Sequence, residues 1–422
     1  MHAPVHTSNL KWTGIKRTLF TSIGLAAVIG GFYFAGRSGS DPEVYRNDFN
    51  VYYHASREVI AGHDPYKNSL TEWTPYLYPP LLAELLTPLA LLPLSVAAYI
   101  WFLMSAFSVI ATGAMCARML PETRGPQWLV AAGAMVIVVR FVLDNLNLGQ
   151  VNAIVTALAV AHVLLYARGK KFWSALALAI AVSIKLTPAI LLVYHIAKLR
   201  LRYAIACIVL VGAITVLSFL PMGAAAPGAF GEFANRTLRN EQGYNLADSG
   251  NQSLRGALAR LTATSTDVTI DNGGSRIVFS GMTVLLSIIV FSTAVWGATR
   301  ARDEMLAVAP FFCCVVLLSP LSWKAHFIML ILPLVQLSGA MSKASRTQRL
   351  FTAATLVAAF VLFNLTSPRV IGLRAAEWSD AHSLVFAGGL LVFIASVGAA
   401  LMQSLASNAA FANLNTQRDG FK

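Results

Sequence analysis

The sequence predicts an all-α polytopic membrane protein with about 12 membrane crossings. Three observations carry that reading. Of 422 residues, 56% are hydrophobic and 12% charged, with a mean hydropathy of +0.63; a soluble domain carries about twice that charged share. Many apolar runs approach or exceed the roughly 18 residues of a membrane helix. The basic residues fall between the runs, at Lys11/Lys16/Arg17, Arg118/Arg124, Arg168/Lys170/Lys171, Lys198/Arg200/Arg202, Arg300/Arg302, Lys343/Arg346/Arg349 and Arg418/Lys422. The positive-inside rule places all seven clusters, and both termini, in the cytoplasm of a multi-pass inner (plasma) membrane protein. Only Glu122, Asp303, Glu304 and Asp419 join them there. The formal charge of +13 is therefore a topology signal rather than a nucleic-acid footprint, and the nearly neutral opposite side holds the chemistry.

The runs lie near 18–35, 95–117, 127–143, 149–167, 172–184, 187–197, 203–220, 277–298, 305–318, 326–341, 350–366 and 384–403. They divide the chain into a cytoplasmic N-terminus (1–17), a transmembrane core (18–341) with extracytoplasmic loops at 36–94 and 221–275, and C-terminal helices with a cytoplasmic tail (342–422). The first run follows Lys16 and Arg17 as a signal peptide would. It exceeds the usual apolar length and no A-x-A site follows, which favours an uncleaved span.

The first loop opens with "DFNVYYHASREVIAGHDPY". Phe49, Tyr52 or Tyr53, Val59 and Ile60 share a helical face, and Gly62 stops the run. Asp48 reads two ways: as an N-cap, or as a general base at the mouth of a cavity. Tyr52 and His54 are candidate cavity lining, and "GHDPY" is a turn begun by Asp64–Pro65. Residues 80–94 are proline-rich and short, an interfacial or re-entrant segment. "LDNLNLGQVNAI" sets Asn145, Asn147, Gln150 and Asn152 at the outer end of a span, either as a polar helix start or as amides that bind hydroxyls.

Residues 172–197 decide the layout. As one helix they would put flanking basic clusters on opposite sides. Pro188 breaks "KLTP", so a short hairpin sinks Lys185 below the outer surface. Its arms of about 20 Å or less fall short of a hydrocarbon core of about 30 Å. An ionisable group at that depth is a functional candidate, against snorkelling as the bland reading. "DSGNQSLRGALARL" offers Asn251 and Gln252 at a loop helix start, and 262–275 reads as a mobile loop tip. In "LLSPLSWKAHFIML", Trp323 and Lys324 are either interfacial anchors or ligand contacts, while His326 suits a phosphate, a sugar hydroxyl or a proton. Cys116, Cys207, Cys313 and Cys314 all lie in apolar runs without zinc or disulfide spacing. No Walker loop, GxSxG, HExxH or acidic metal motif occurs, which points away from a nucleotide substrate with its metal and from a resident cofactor.

Taken in order, "DFNVYYHA", "GHDPY", "YPP" with Tyr78, "LGQVN", "KLTP", "NQSL" and "LSPLSWKAH" resemble glycosyltransferase family 87, the polyprenol-phosphate-mannose-dependent α-mannosyltransferases. The resemblance covers roughly residues 40–340. It implies a GT-C fold, an extracytoplasmic active site, a polyprenyl-phosphate sugar as donor substrate and Asp48 as catalytic base. Relatives often carry two adjacent histidines where this chain has Ala325–His326. The expected reaction is transfer of a hexose, most simply mannose, to an envelope glycolipid or glycan. Lys185, His326 and Lys324 would hold the donor phosphate. Tyr52, His54, Tyr78, Gln150, Asn152, Asn251, Gln252 and Trp323 would orient sugar and acceptor. A lipid-linked-sugar transporter or flippase, or a related enzyme using arabinofuranose or glucose, are the rival readings; a transporter would show paired repeats, which are absent here.

Overall fold

A computed structural model describes the chain over residues 6–39, 47–67, 75–121, 126–238, 246–262 and 273–419. Among these residues every regular element is helical. α1 (His6–Ser38) carries the first apolar run and lies along α5 (Leu94–Met119). Between them come α2 (Asp48–Ile60), α3 (Pro80–Leu85) and α4 (Thr87–Ala90). α2 buries Phe49, Tyr52, Ala55, Ser56 and Val59, the stripe expected of an amphipathic helix. Pro80 and Pro88 sit in the first turns of α3 and α4, where a missing N–H costs nothing.

α6 (Gln127–Ile137) and α7 (Val139–Leu148) meet at a bend of 69°. α8 (Asn152–Ala167) and α9 (Lys171–Ile184) pack side by side against α5 and α11 (Leu201–Leu217). The break predicted from Pro188 lies between α9 and α10 (Ile190–Ala197), as an extended Lys185 followed by a 3-10 turn at Thr187–Ala189. α12 (Ala226–Leu238) and α13 (Leu254–Thr262) follow α11. Most of the 262–275 tip lies outside the described residues, as do 68–74 of the first loop.

The rest of the core comprises α14 (Gly273–Arg300), α15 (Glu304–Leu317), α16 (Ile331–Ala340), α17 (Arg346–Phe360) and α20 (Leu384–Asp419), with short α18 (Pro368–Ile371) and α19 (Leu373–Ala381) between the last two. α15 and α16 are buried almost throughout. α11 and α14 instead expose Ile205, Val209, Val284, Leu285 and Ile288. Large exposed aliphatic faces wrapped around a packed interior are the organisation of a membrane protein.

The structure does not support about 12 crossings. Among the described residues four helices are long and apolar enough to span: Leu94–Met119, Val278–Arg300, Arg346–Leu365 and Leu384–Gln403. The number rises to six if the bent pairs Gln127–Ile137 with Val139–Leu148, and Leu201–Leu217 with Leu220–Asn235, each count as one. The runs behind α8, α9, α15 and the Thr187–Ala197 and Lys324–Ala340 stretches form helices of 10–17 residues. At about 1.5 Å per residue these reach roughly 15–25 Å, less than the ~30 Å of hydrocarbon.

Candidate active site

Four segments converge at one end of α8, α9 and α16: the start of α2, residues 150–152, Lys185, and the turn that leads into α16. The first question is what Asp48 does at its helix start. Asn47 caps α2, its side chain accepting the Asn50 N–H at 2.8 Å. Asp48 is therefore the first helical residue, and the N-cap reading gives way to one in which its carboxylate is free for other contacts.

Those contacts are polar and few. Tyr52, one turn along α2, and Gln150 lie beside the Asp48 carboxylate, and Lys185 places a positive charge near it. Burial nonetheless dominates and raises its pKa from 3.8 to about 6, because the charged form has lost water. The Tyr52 and Tyr78 hydroxyls meet at 3.0 Å. The rings pack edge to face at 5.0 Å.

Gly149 allows this approach. It adopts φ +63°, and a Cβ there would come within 2.7 Å of Phe34 and 2.8 Å of Phe49. Its carbonyl accepts the Trp101 indole N–H at 2.8 Å. The α7–α8 connection is thus pressed onto the start of α2, which brings Gln150 beside Asp48.

Lys185 is held from two sides. Its Nζ donates to Asn152 Oδ1 at 2.6 Å and lies 3.0 Å from His326 Nε2. An ammonium has no lone pair, so His326 accepts and is neutral in this arrangement. The Lys185 charge also lies 5.6 Å from the centre of the Tyr78 ring, a cation–π distance. Asn152 in turn donates to Gln150 Oε1. Asp48, Tyr52, Tyr78, Gln150, Asn152, Lys185 and His326 therefore form one continuous network. Two of the three Lys185 donors are engaged by Asn152 and His326, leaving one for an anion.

Other candidates stand apart from this network. Asn251 and Gln252 are fully buried. Asn251 Oδ1 accepts the Ser322 N–H at 3.0 Å and its Nδ2 donates to Leu246 O at 3.1 Å. Gln252 Nε2 donates to Asp380 O at 2.9 Å, and its Oε1 accepts the Phe386 N–H at 3.1 Å. Both tie loops together. Lys324 pairs with the Asp380 carboxylate of α19, a partner that no sequence signal indicated. Trp323 packs beneath Gly250, where an added Cβ would lie 2.6 Å from the indole. His54 is half-buried on α2. The sequence offered Asn145 as part of a polar helix start or as an amide that binds hydroxyls; the structure shows it donating to Phe141 O at 2.9 Å and to the Ala325 carbonyl, which holds the turn that presents His326. Among the described residues no three His, Cys, Asp or Glu side chains are placed to hold a metal ion.

An all-helical chain with lipid-facing aliphatic surfaces, in which one carboxylate is set against a lysine–histidine pair, has the make-up of an integral-membrane glycosyltransferase. The chain belongs to glycosyltransferase family 87, whose family model matches residues 76–320. It is 28% identical over 336 residues, 78% of this chain and 76% of the other, to the polyprenol-phosphate-mannose-dependent alpha-(1-2)-phosphatidylinositol pentamannoside mannosyltransferase of Mycolicibacterium smegmatis. It is 26% identical over 348 residues, 77% of each chain, to the polyprenol-phosphate-mannose-dependent alpha-(1-2)-phosphatidylinositol mannoside mannosyltransferase of Mycobacterium tuberculosis. Among solved structures, ArnT from Cupriavidus metallidurans bound to undecaprenyl phosphate aligns over 94% of this chain and 80% of that one, with a TM-score of 0.45 at 14% identity.

Proposed function

We propose that this glycosyltransferase moves mannose from a polyprenyl-phosphate donor to an envelope glycolipid or glycan, at the extracytoplasmic face of the plasma membrane. The observation that carries the reading is the Asp48–Lys185–His326 arrangement: a base and an anion site joined in one network. The relatives' polyprenol-phosphate-mannose dependence supports the donor. The side of the membrane follows from charge. Lys171 and Lys198 mark the ends of α9 and α10 opposite Lys185, and the positive-inside rule assigns the basic ends to the cytoplasm, with both termini there.

In this mechanism Lys185, positioned by Asn152 and His326, holds the donor phosphate, and its free donor stabilises the charge that grows on it as the glycosyl bond breaks. Asp48, deprotonated above about pH 6, takes the proton of the acceptor hydroxyl as that oxygen attacks the anomeric carbon. Among the described residues, Asp48 is the carboxylate whose charge acts on Lys185. A single base without a second carboxylate as nucleophile suits one inverting displacement, so a β-linked donor gives an α-linked product. Gln150, Asn152, Tyr52 and Tyr78 line the sugar.

The test is transfer by the purified protein from radiolabelled polyprenyl-phosphate-mannose to host envelope lipids, with and without chelator. Labelled lipid that forms with wild type and is absent with Asp48→Asn supports the reading. Donor binding without transfer overturns it, and transfer only from an arabinofuranose or glucose donor replaces the sugar. Loss with chelator would add a metal that this mechanism omits.

A further inference from the structure

A cavity of about 570 Å³ lies at the opposite end of the bundle from Asp48, between α5, α15, α16, α17 and α20. That volume is within the roughly 300–1,000 Å³ range of small-ligand sites. Most of its wall is apolar, including Met119, Leu306, Ala340 and Ala399. Asp303, Gln336, Gln348, Thr352 and Gln403 are its polar members, and Gln336 is the buried one. It lies in α16, is 3% exposed, and both its Nε2 and Oε1 lack hydrogen-bond partners. Buried side-chain amides are nearly always paired, so an unpaired donor and acceptor in a cavity wall call for a ligand that carries polar atoms. Gly398 on α20 lines the same space, and a Cβ there would meet no atom within 4 Å.

The mouth shows the kind of ligand. Phe351 and Met402 line the cavity and are themselves exposed, at 52% and 43%. They sit on two helices long and apolar enough to span, so the cavity opens toward lipid. On the chain segments next to its lining residues, Arg300, Arg302, Arg346 and Arg349 are all exposed and outnumber the one acid of the wall, Asp303. A largely apolar chamber with an unpaired buried amide in its wall and an excess of arginines on the adjoining segments matches a molecule with an acyl chain, an ester carbonyl and an anionic head. We propose that this cavity binds an anionic phospholipid: one acyl chain inside, its ester group at Gln336, its phosphate among the arginines. The site is separate from the transfer network and does not depend on which sugar is moved.

The experiment uses the full chain in detergent micelles doped equally with phosphatidylglycerol and phosphatidylethanolamine, with retained lipid read by native mass spectrometry. Wild type is expected to retain phosphatidylglycerol by roughly tenfold over phosphatidylethanolamine. Gly398→Leu, which fills the cavity, and Gln336→Leu, which keeps side-chain volume and removes the amide, are each expected to lose most of it. Equal retention of the two lipids by wild type overturns the anionic assignment. Undiminished phosphatidylglycerol on Gly398→Leu overturns the cavity as its site, and undiminished retention by Gln336→Leu overturns the amide contact.

Discussion

Two polar regions face the same end of this molecule, and they are built from similar residues. One is the network of Asp48, Tyr52, Gln150, Asn152, Lys185 and His326. The other is the loop tie in which Asn251 and Gln252 meet Ser322, Asp380 and Phe386. In the tie, amide groups are spent on backbone N–H and carbonyl partners. In the network, side chains bind side chains, and a carboxylate and an ammonium keep capacity for a substrate. What separates a site from a brace is therefore where hydrogen-bonding capacity ends, since residue type and burial are nearly shared.

Substitutions sharpen that difference. The largest effect is expected from Asp48→Asn, which keeps shape and removes the base: kcat should fall by about a thousandfold, with thermal stability near wild type in the same sample. Lys185→Ala should raise the KM for the donor by roughly 10- to 100-fold through loss of charge-assisted contacts, measured by donor titration; an unchanged donor affinity refutes the phosphate contact. Lowering pH should protonate Asp48. Since its pKa lies at about 6, the rate should fall on the acid side and lose about tenfold per pH unit below 5, with the acid limb absent from Asp48→Asn. Asn251→Ala should act in the opposite manner. It leaves the buried Ser322 N–H unpaired, which costs about 1–3 kcal/mol, so Tm should drop while the donor KM of the folded fraction stays unchanged. The smallest catalytic effect is expected from Lys324→Ala, with donor KM within about twofold, because its ammonium is engaged by Asp380.

The helices were legible because apolar runs and basic ends are written locally in the chain. The number of crossings was not, since an apolar run reads alike whether a helix faces lipid along its length or ends within the protein. α15 is apolar because it is buried among other helices, at only 14 residues. The bend at Val138 was equally hidden: no proline or glycine marks it. At the site, Lys185 stood out through its depth, and Asp48 through its position after the first run. The capping role of Asn47 could not be told from that of Asp48, since adjacent Asn and Asp are both good caps. The Lys324–Asp380 pair escaped because its halves are 56 residues apart and α19 has no strong periodic signal.

The anchoring of Lys185 also fixes when the enzyme becomes an enzyme. Its two partners lie 33 residues before it and 141 residues after it. A ribosome delivers Asn152 first, then Lys185, and His326 only after more than a hundred further residues have emerged. Through that interval the lysine has half its cradle, so on the proposed mechanism a nascent chain interrupted before α16 lacks a finished anion site. On the proposed mechanism the anion site is completed late in synthesis, when the turn before α16 docks against α7 and α8.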